Sequence, residues 1–199
     1  MDEIVRRAMA KWPNVPNVYG WLHLDRRGNW AIKGERLANS AIAAFIGRNY
    51  GAEESGRWFF QNGPQRVFVS LAYTPLVYRI SSASASQPKF QTHTGVEASA
   101  PRGAWLDETG ALLLQTELGV GLIQDQDLPH LLGYWTTQDG RALADSEIEF
   151  ILHARPTPTA AWLGLGALRV PIGMIRSTAV AARFGFDPDP RPAPGEPEC

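Results

Sequence analysis

One motif occurs twice in this chain. Trp21-Leu22-His23-Leu24-Asp25-Arg26-Arg27-Gly28 stands near the start, and Trp105-Leu106-Asp107-Glu108-Thr109-Gly110 stands near the middle. Each reads as a strand that enters an Asp-x-x-Gly turn and leaves it as a second apolar strand. Asp bonds forward to backbone amides and Gly accepts positive φ, so this pattern closes a tight turn. Each copy is followed by a short helical pattern and then by a Trp-led segment ending in Arg-Val, Trp58 to Val67 and Trp162 to Val170. The expected fold class is therefore α+β: mostly antiparallel β-sheets with short packed helices, arranged as two similar β-rich halves. The spacing is unequal, because Trp58 lies 33 residues after Asp25 whereas Trp162 lies 55 after Asp107.

Residues 1–18 are read as an N-terminal helix and link, since Ile4, Val5, Ala8, Met9 and Trp12 form one stripe and Pro13 ends it. The first β-rich unit is placed at 19–80. It holds a helix capped by Asn39 or Ser40, with Ile42, Phe45, Ile46 and Tyr50 on its inner face. Trp58-Phe59-Phe60 and Val67-Phe68-Val69 are paired strands around Gln61-Asn62-Gly63-Pro64. A loop-rich connection is expected at 81–103, with Ser81 to Ser86 exposed. The second β-rich unit is placed at 104–186. Its strands are Leu112–Leu114, Val120–Ile123, Ile148–Leu152 and one or two more within Ala161–Ile175, its short helix is capped by Asp125 or Asp127, and a final helix covers Ser177–Arg183. Trp21, Trp30, Phe45, Trp58, Phe60, Val67 and Val69 are the expected core of the first half. Leu112, Leu114, Leu131, Trp135 and Phe150 are that of the second. Residues 187–199, with five prolines, read as a disordered tail that adds nothing to stability.

The totals exclude several classes. A net charge of −1 gives no broad field for nucleic acid or anionic lipid. Cys199 is the single cysteine, so neither an internal disulfide nor a Cys-based metal site is expected. No run of eighteen apolar residues exists, and Met1 to Pro13 is too charged for a signal peptide. The expectation is a cytoplasmic protein with no membrane partner, no nucleic-acid partner and no cofactor.

His23, His93, His130 and His153 stand far apart, and no pair has metal-ligand spacing, so no metal is expected. There is no P-loop and no G-x-S-x-G elbow. Asp25 and Asp107 occupy matched places. They are either turn formers or, if the halves pack about a pseudo-twofold axis, two acids facing one polar cleft. Arg57, Arg66 and Arg79 interleave with aromatics, which fits core aromatics with arginines on the solvent face. The polar loop Asn62-Gly63-Pro64-Gln65-Arg66, framed by aromatics, is the first place to look for a ligand. Its candidate binding residues are Asn62, Gln65 and Arg66, together with His93.

Several segments resemble one family. Leu24-Asp25-Arg26-Arg27-Gly28-Asn29-Trp30 with Gly34, Trp58-Phe59-Phe60, Gly63-Pro64, Tyr73-Thr74-Pro75-Leu76-Val77 and Phe90-Gln91-Thr92-His93-Thr94 together resemble the DUF1285 type of bacterial domain of unknown function. The likeness spans about residues 20 to 135. It implies two repeated β-rich units with packed helices and a loose link to signal transduction, and it implies no catalytic residues. The chain departs from the family pattern at Gln61-Asn62-Gly63-Pro64-Gln65, where a Thr-Pro-Val-Glu-like turn is typical. It also looks expanded from Thr136 to Thr159, as a sister family would be.

The resulting functional expectation is a non-enzymatic binding or regulatory module for a protein or small-molecule ligand. The alternative is an enzyme using Asp25, Asp107, His93 and Arg66 in a cleft between the halves.

Overall fold

The computed structural model describes residues 1–12, 15–84, 87–153 and 161–193. These form an α+β fold with two mixed sheets, in which ten of the thirteen strand pairings are antiparallel. By packing there are two compact units. The first comprises the described residues within Met1–Pro75, His93–Gly95 and Ala181–Cys199, and the second those within Leu76–Thr92 and Val96–Val180.

The first unit opens with α1 (Glu3–Lys11) and the strands β1 (Val18–Leu24), β2 (Trp30–Ile32) and β3 (Glu35–Arg36). Helix α2 (Ser40–Arg48) follows, then β4 (Tyr50–Ala52), β5 (Trp58–Asn62) and β6 (Gln65–Leu71). Helix α2 starts where Asn39 caps it, the side chain accepting from the amides of Ala41 and Ile42 at 3.0 and 3.2 Å. The sheet order is β3-β2-β1-β6-β5-β4, with β1 parallel to β6 and every other pair antiparallel.

The second unit carries β7 (Leu76–Ser84), β8 (Gln87–Thr92), β9 (Glu97–Ala98), β10 (Gly103–Leu106), β11 (Leu112–Thr116) and β12 (Gly119–Ile123). Next come α3 (Leu128–Leu132), β13 (Trp135–Thr136), α4 (Asp145–His153), β14 (Ala161–Leu165) and β15 (Leu168–Met174). A 3-10 turn (Ser177–Ala179) then leads into α5 (Val180–Phe184). The nine-stranded order is β13-β14-β15-β10-β11-β12-β7-β8-β9. Its six strands β12-β11-β10-β15-β14-β13 repeat the plan of the first sheet pair by pair. The central pair β10·β15 is again the parallel one, and a helix again separates the third strand from the fourth.

The turns match to the atom. The Asp25 amide donates to Asn29 O and the Gly28 amide to Asp25 O, as the Asp107 amide donates to Ala111 O and the Gly110 amide to Asp107 O. Gly28 and Gly110 have φ of 79° and 81°, which only glycine adopts freely. Ala72 N donates to Leu24 O at 2.9 Å, and Ile175 N to Leu106 O at 3.0 Å. The unequal spacing has a local cause. Five residues join β4 to β5, whereas the β13–β14 connection carries α4; part of this expanded stretch, 154–160, lies outside the described residues.

Four expectations are corrected. Residues 148–152 are helix, not strand: Glu147 accepts from the Ala144 amide at 2.8 Å and pairs with Arg141 at 2.8 Å, which closes the first turn of α4. Helical spacing then buries Ile148 and Ile151 and leaves Phe150 64% exposed. Trp21 is 44% exposed, because β1 carries a register shift between Val18 and Leu22 and Gly20 takes φ 70°. Leu22 and Leu24 take the inward positions instead. Phe45, Trp58 and Val67 are half-buried, while Trp30, Phe60, Val69, Leu112, Leu114, Leu131 and Trp135 are buried as expected. Residues 81–84 are not loop but the end of β7, with Ser82 opposite Lys89; residues 85–86 lie outside the described set. Strand β7, which begins the second unit at Leu76, joins the second sheet beside β12.

The tail expectation also changes. Asp187 bridges Arg57, its amide donates to Gly56 O at 3.1 Å, and Leu71 N donates to Pro188 O at 2.8 Å. Pro190 is buried. Proline lacks an amide donor, but its carbonyl still accepts, so a proline-rich stretch can line a strand it could not continue. Residues 194–199 lie outside the described set.

Glu108 accepts from the Ser177 hydroxyl at 2.5 Å and the Ser177 amide at 2.8 Å, tying the second turn to the start of the 3-10 turn. These bonds bring its carboxyl down to about 2 from an ordinary 4.5. A depressed folded value means stabilisation present above pH 4.5 and lost as pH falls toward 2. Glu108→Gln is expected to melt below the parent at pH 6, with the gap closing by pH 2.5. A gap that does not narrow on acidification counts against this linkage.

Candidate functional site

On the first sheet, successive residues alternate between faces. Leu22, Trp30, Ile32, Phe60 and Val67 face α2, whereas Tyr19, Phe59 and Phe68 face away from it. The face toward α2 is not fully closed. Trp21, Ile32 and Ile42 are large apolar side chains left 44%, 39% and 46% exposed. They meet around one concavity of about 250 Å³, floored by Leu22, Phe45, Ile46, Phe60 and Val67. Asn62 is its polar lining residue. A contiguous exposed apolar patch of this kind marks an interaction site more often than a scattered apolar surface does.

The polar hairpin loop divides between the two faces. Asn62 stands opposite Gln65, and Gln61 opposite Arg66. Asn62 borders the concavity, and Gln65 Nε2 donates to Pro16 O at 3.1 Å. Arg66 lies on the other face, with its guanidinium 4.7 Å from the Phe59 ring and 3.3 Å from Glu53 Oε2. Arg57 binds the other oxygen of Glu53 and covers Phe68 at 4.5 Å, and Phe68 is stacked on Tyr19 at 4.7 Å. Burial alone pushes the Glu53 carboxyl up, but the Ser55 hydroxyl and the two arginines outweigh it and hold the group below its ordinary value. Arg66 is thus engaged within its own unit.

His93 sits in an aromatic cluster, 5.2 Å from Trp30 and 5.7 Å from Tyr50. The Tyr50 hydroxyl donates to Pro75 O at 3.0 Å, and burial holds its phenol well above the usual range. Asp25 accepts from the Arg27 and Asn29 amides at 2.8 Å each and from Asn29 Nδ2 at 2.8 Å. Asp107, 2% exposed, accepts from the Thr109 amide at 2.8 Å, the Thr109 hydroxyl at 2.7 Å and the Ala111 amide at 3.0 Å. Each carboxylate holds its own turn, Asp25 in the first unit and Asp107 in the second. Among the described residues no three His, Cys, Asp or Glu side chains are grouped as metal ligands, and no helix is long and apolar enough to cross a membrane.

Of the candidate binding residues named from sequence, the concavity takes in Asn62 alone. Its apolar lining was missed because Trp21 and Phe45 were assigned to the core. The available signal was Gly20, since a glycine inside a strand pattern marks a bulge.

Two matched β-rich units, the first with an open apolar concavity, define an α+β scaffold. The chain belongs to the DUF2944 family, described as a protein of unknown function (DUF2946), whose family model matches residues 1–191. A crystal structure of a DUF1285 family protein from Silicibacter pomeroyi DSS-3 is similar in fold, with a TM-score of 0.55 and 17% identity. The match covers 88% of this chain and 97% of that one. A second DUF1285 family protein, from Shewanella baltica OS155, matches at a TM-score of 0.42 and 17% identity over 55% of this chain and 87% of its own. No curated protein matches the chain.

Proposed function

We propose that this protein is a non-enzymatic binding module of regulatory type, acting in the cytoplasm on a scaffold produced by duplication of one β-rich unit. The observation that carries this reading is the concavity between α2 and the first sheet, with Trp21, Ile32 and Ile42 exposed at its rim. Fixed apolar walls with few polar groups are the usual make-up of a ligand site. Asn62 supplies the polar contact, and Gln65 and Arg66 on the same hairpin fix the loop that presents it. The engagement of Asp25 and Asp107 in their own turns favours binding over acid–base chemistry.

The test uses octan-1-ol as a neutral apolar probe and the Trp21 indole N–H resonance as reporter, assigned with Trp21→Phe. The parent protein is expected to show a saturable shift. Ile42→Glu places a charge on the rim at an exposed position and is expected to weaken binding at least fivefold, with stability changed by no more than about 0.5 kcal/mol. Equal binding by the variant removes the concavity as the site.

A further inference from the structure

We propose that the concavity takes a short straight aliphatic carboxylate, with its head group held at Lys33. This deepens the binding reading above and rests on it. The concavity, about 250 Å³ and open to solvent on one side, suits a short aliphatic chain, for which octanoate serves as the probe.

The head-group assignment follows from Lys33. It is the one non-glycine residue with positive φ among those described, at 50°, and Gly34 follows at 84°. Two successive positive-φ residues between β2 and β3 form a turn that favours Asn-Gly or Gly-Gly. Lysine is a poor choice there for the backbone alone. What it does is aim an ammonium at the rim: Nζ lies 3.7 Å from the centroid of the Trp21 ring, while the Lys33 amide donates to Trp21 O at 2.8 Å. Trp21 lines the concavity and Ile32, next to Lys33, lines it too. An acyl chain laid against Ile32, Ile42 and Phe60 would therefore end near an exposed cation that rests on the Trp21 ring at the rim. A carboxylate there gains a charge-assisted contact that an alcohol does not. Glu35 stands opposite Ile32 in the β2–β3 register and is exposed, so a cationic head group is the competing chemistry.

The experiment compares octanoate, octan-1-ol and octylammonium at matched ionic strength, again by the Trp21 indole shift. The parent protein is expected to bind octanoate about tenfold more tightly than octan-1-ol, as one charge-assisted contact allows. Lys33→Asn suits the positive φ and removes the ammonium; it is expected to erase that preference without weakening octan-1-ol. Lys33→Arg is expected to retain it. Equal binding of octanoate and octan-1-ol by the parent, a preference that survives in Lys33→Asn, or tightest binding of octylammonium each overturn the assignment to Lys33 while the concavity stands. If neither octanoate nor octan-1-ol shifts Trp21 at millimolar concentration, the concavity itself fails as the site.

Discussion

Truncation after Phe186 is expected to destabilise the first unit by about 2–3 kcal/mol. The segment removed includes Asp187 and Pro188, whose amide and carbonyl make the bonds to Gly56 O and from Leu71 N, and buried Pro190. Each hydrogen bond contributes about 1 kcal/mol, and Leu71, 7% exposed, keeps an amide that would lose its acceptor. Urea unfolding and exchange of the Leu71 amide read out the result. A second truncation, after Ala193, keeps the docked residues and is expected to retain the parent's stability. Unchanged stability and unchanged Leu71 protection after the first truncation would show that the docked segment contributes nothing.

Gly121→Ala is expected to cost about 3 kcal/mol, at the upper end for overpacking a core. A Cβ at Gly121 would stand 2.6 Å from two ring carbons of Tyr78 and 3.0 Å from Leu76 Cβ. The ring cannot retreat easily. Tyr78 is fully buried, and its hydroxyl is held 2.7 Å from the Thr116 hydroxyl and 2.9 Å from Gly119 O. Burial there pushes the phenol up to about 12. Gly121 pairs with Leu76 where β12 meets β7, so the substitution strikes the pairing that, among the described residues, attaches β7, β8 and β9 to the other six strands. Gly51→Ala, with open space at its Cβ, is the control and should stay within about 0.5 kcal/mol of the parent. If the two variants unfold at the same denaturant concentration, the close contact is not a constraint.

What was legible in the sequence was local. The Asp-x-x-Gly turns declare themselves because one side chain satisfies its own turn, and Asn39 announces α2 for the same reason. The matched halves were legible because those turns fix where paired strands begin. Residues 148–152 misled because a short apolar run fits either period; the acids Asp145 and Glu147 just before it were the helical signal. The extension of β7 through Ser81 to Ser84 was hidden, since edge-region strands need no apolar side chains when β8 supplies the backbone partners. The concavity was hidden for a different reason. Composition records that Trp21 is apolar, but only the register shift beside Gly20 decides which way it points. The docking of Asp187 to Pro190 depends on acceptors and donors more than a hundred residues away in the chain, which no local pattern records.

The discontinuity of the first unit carries a consequence for how the protein is made. Its six strands have all left the ribosome once Leu71 is clear, yet the acceptor for the Leu71 amide, Pro188 O, lies beyond the whole of the second unit. At 5–20 residues per second, synthesis takes on the order of ten seconds to cover that gap. For that interval the nascent first unit has its sheet without its fastening, and the second unit, whose residues are contiguous but for three, can fold before the first is complete.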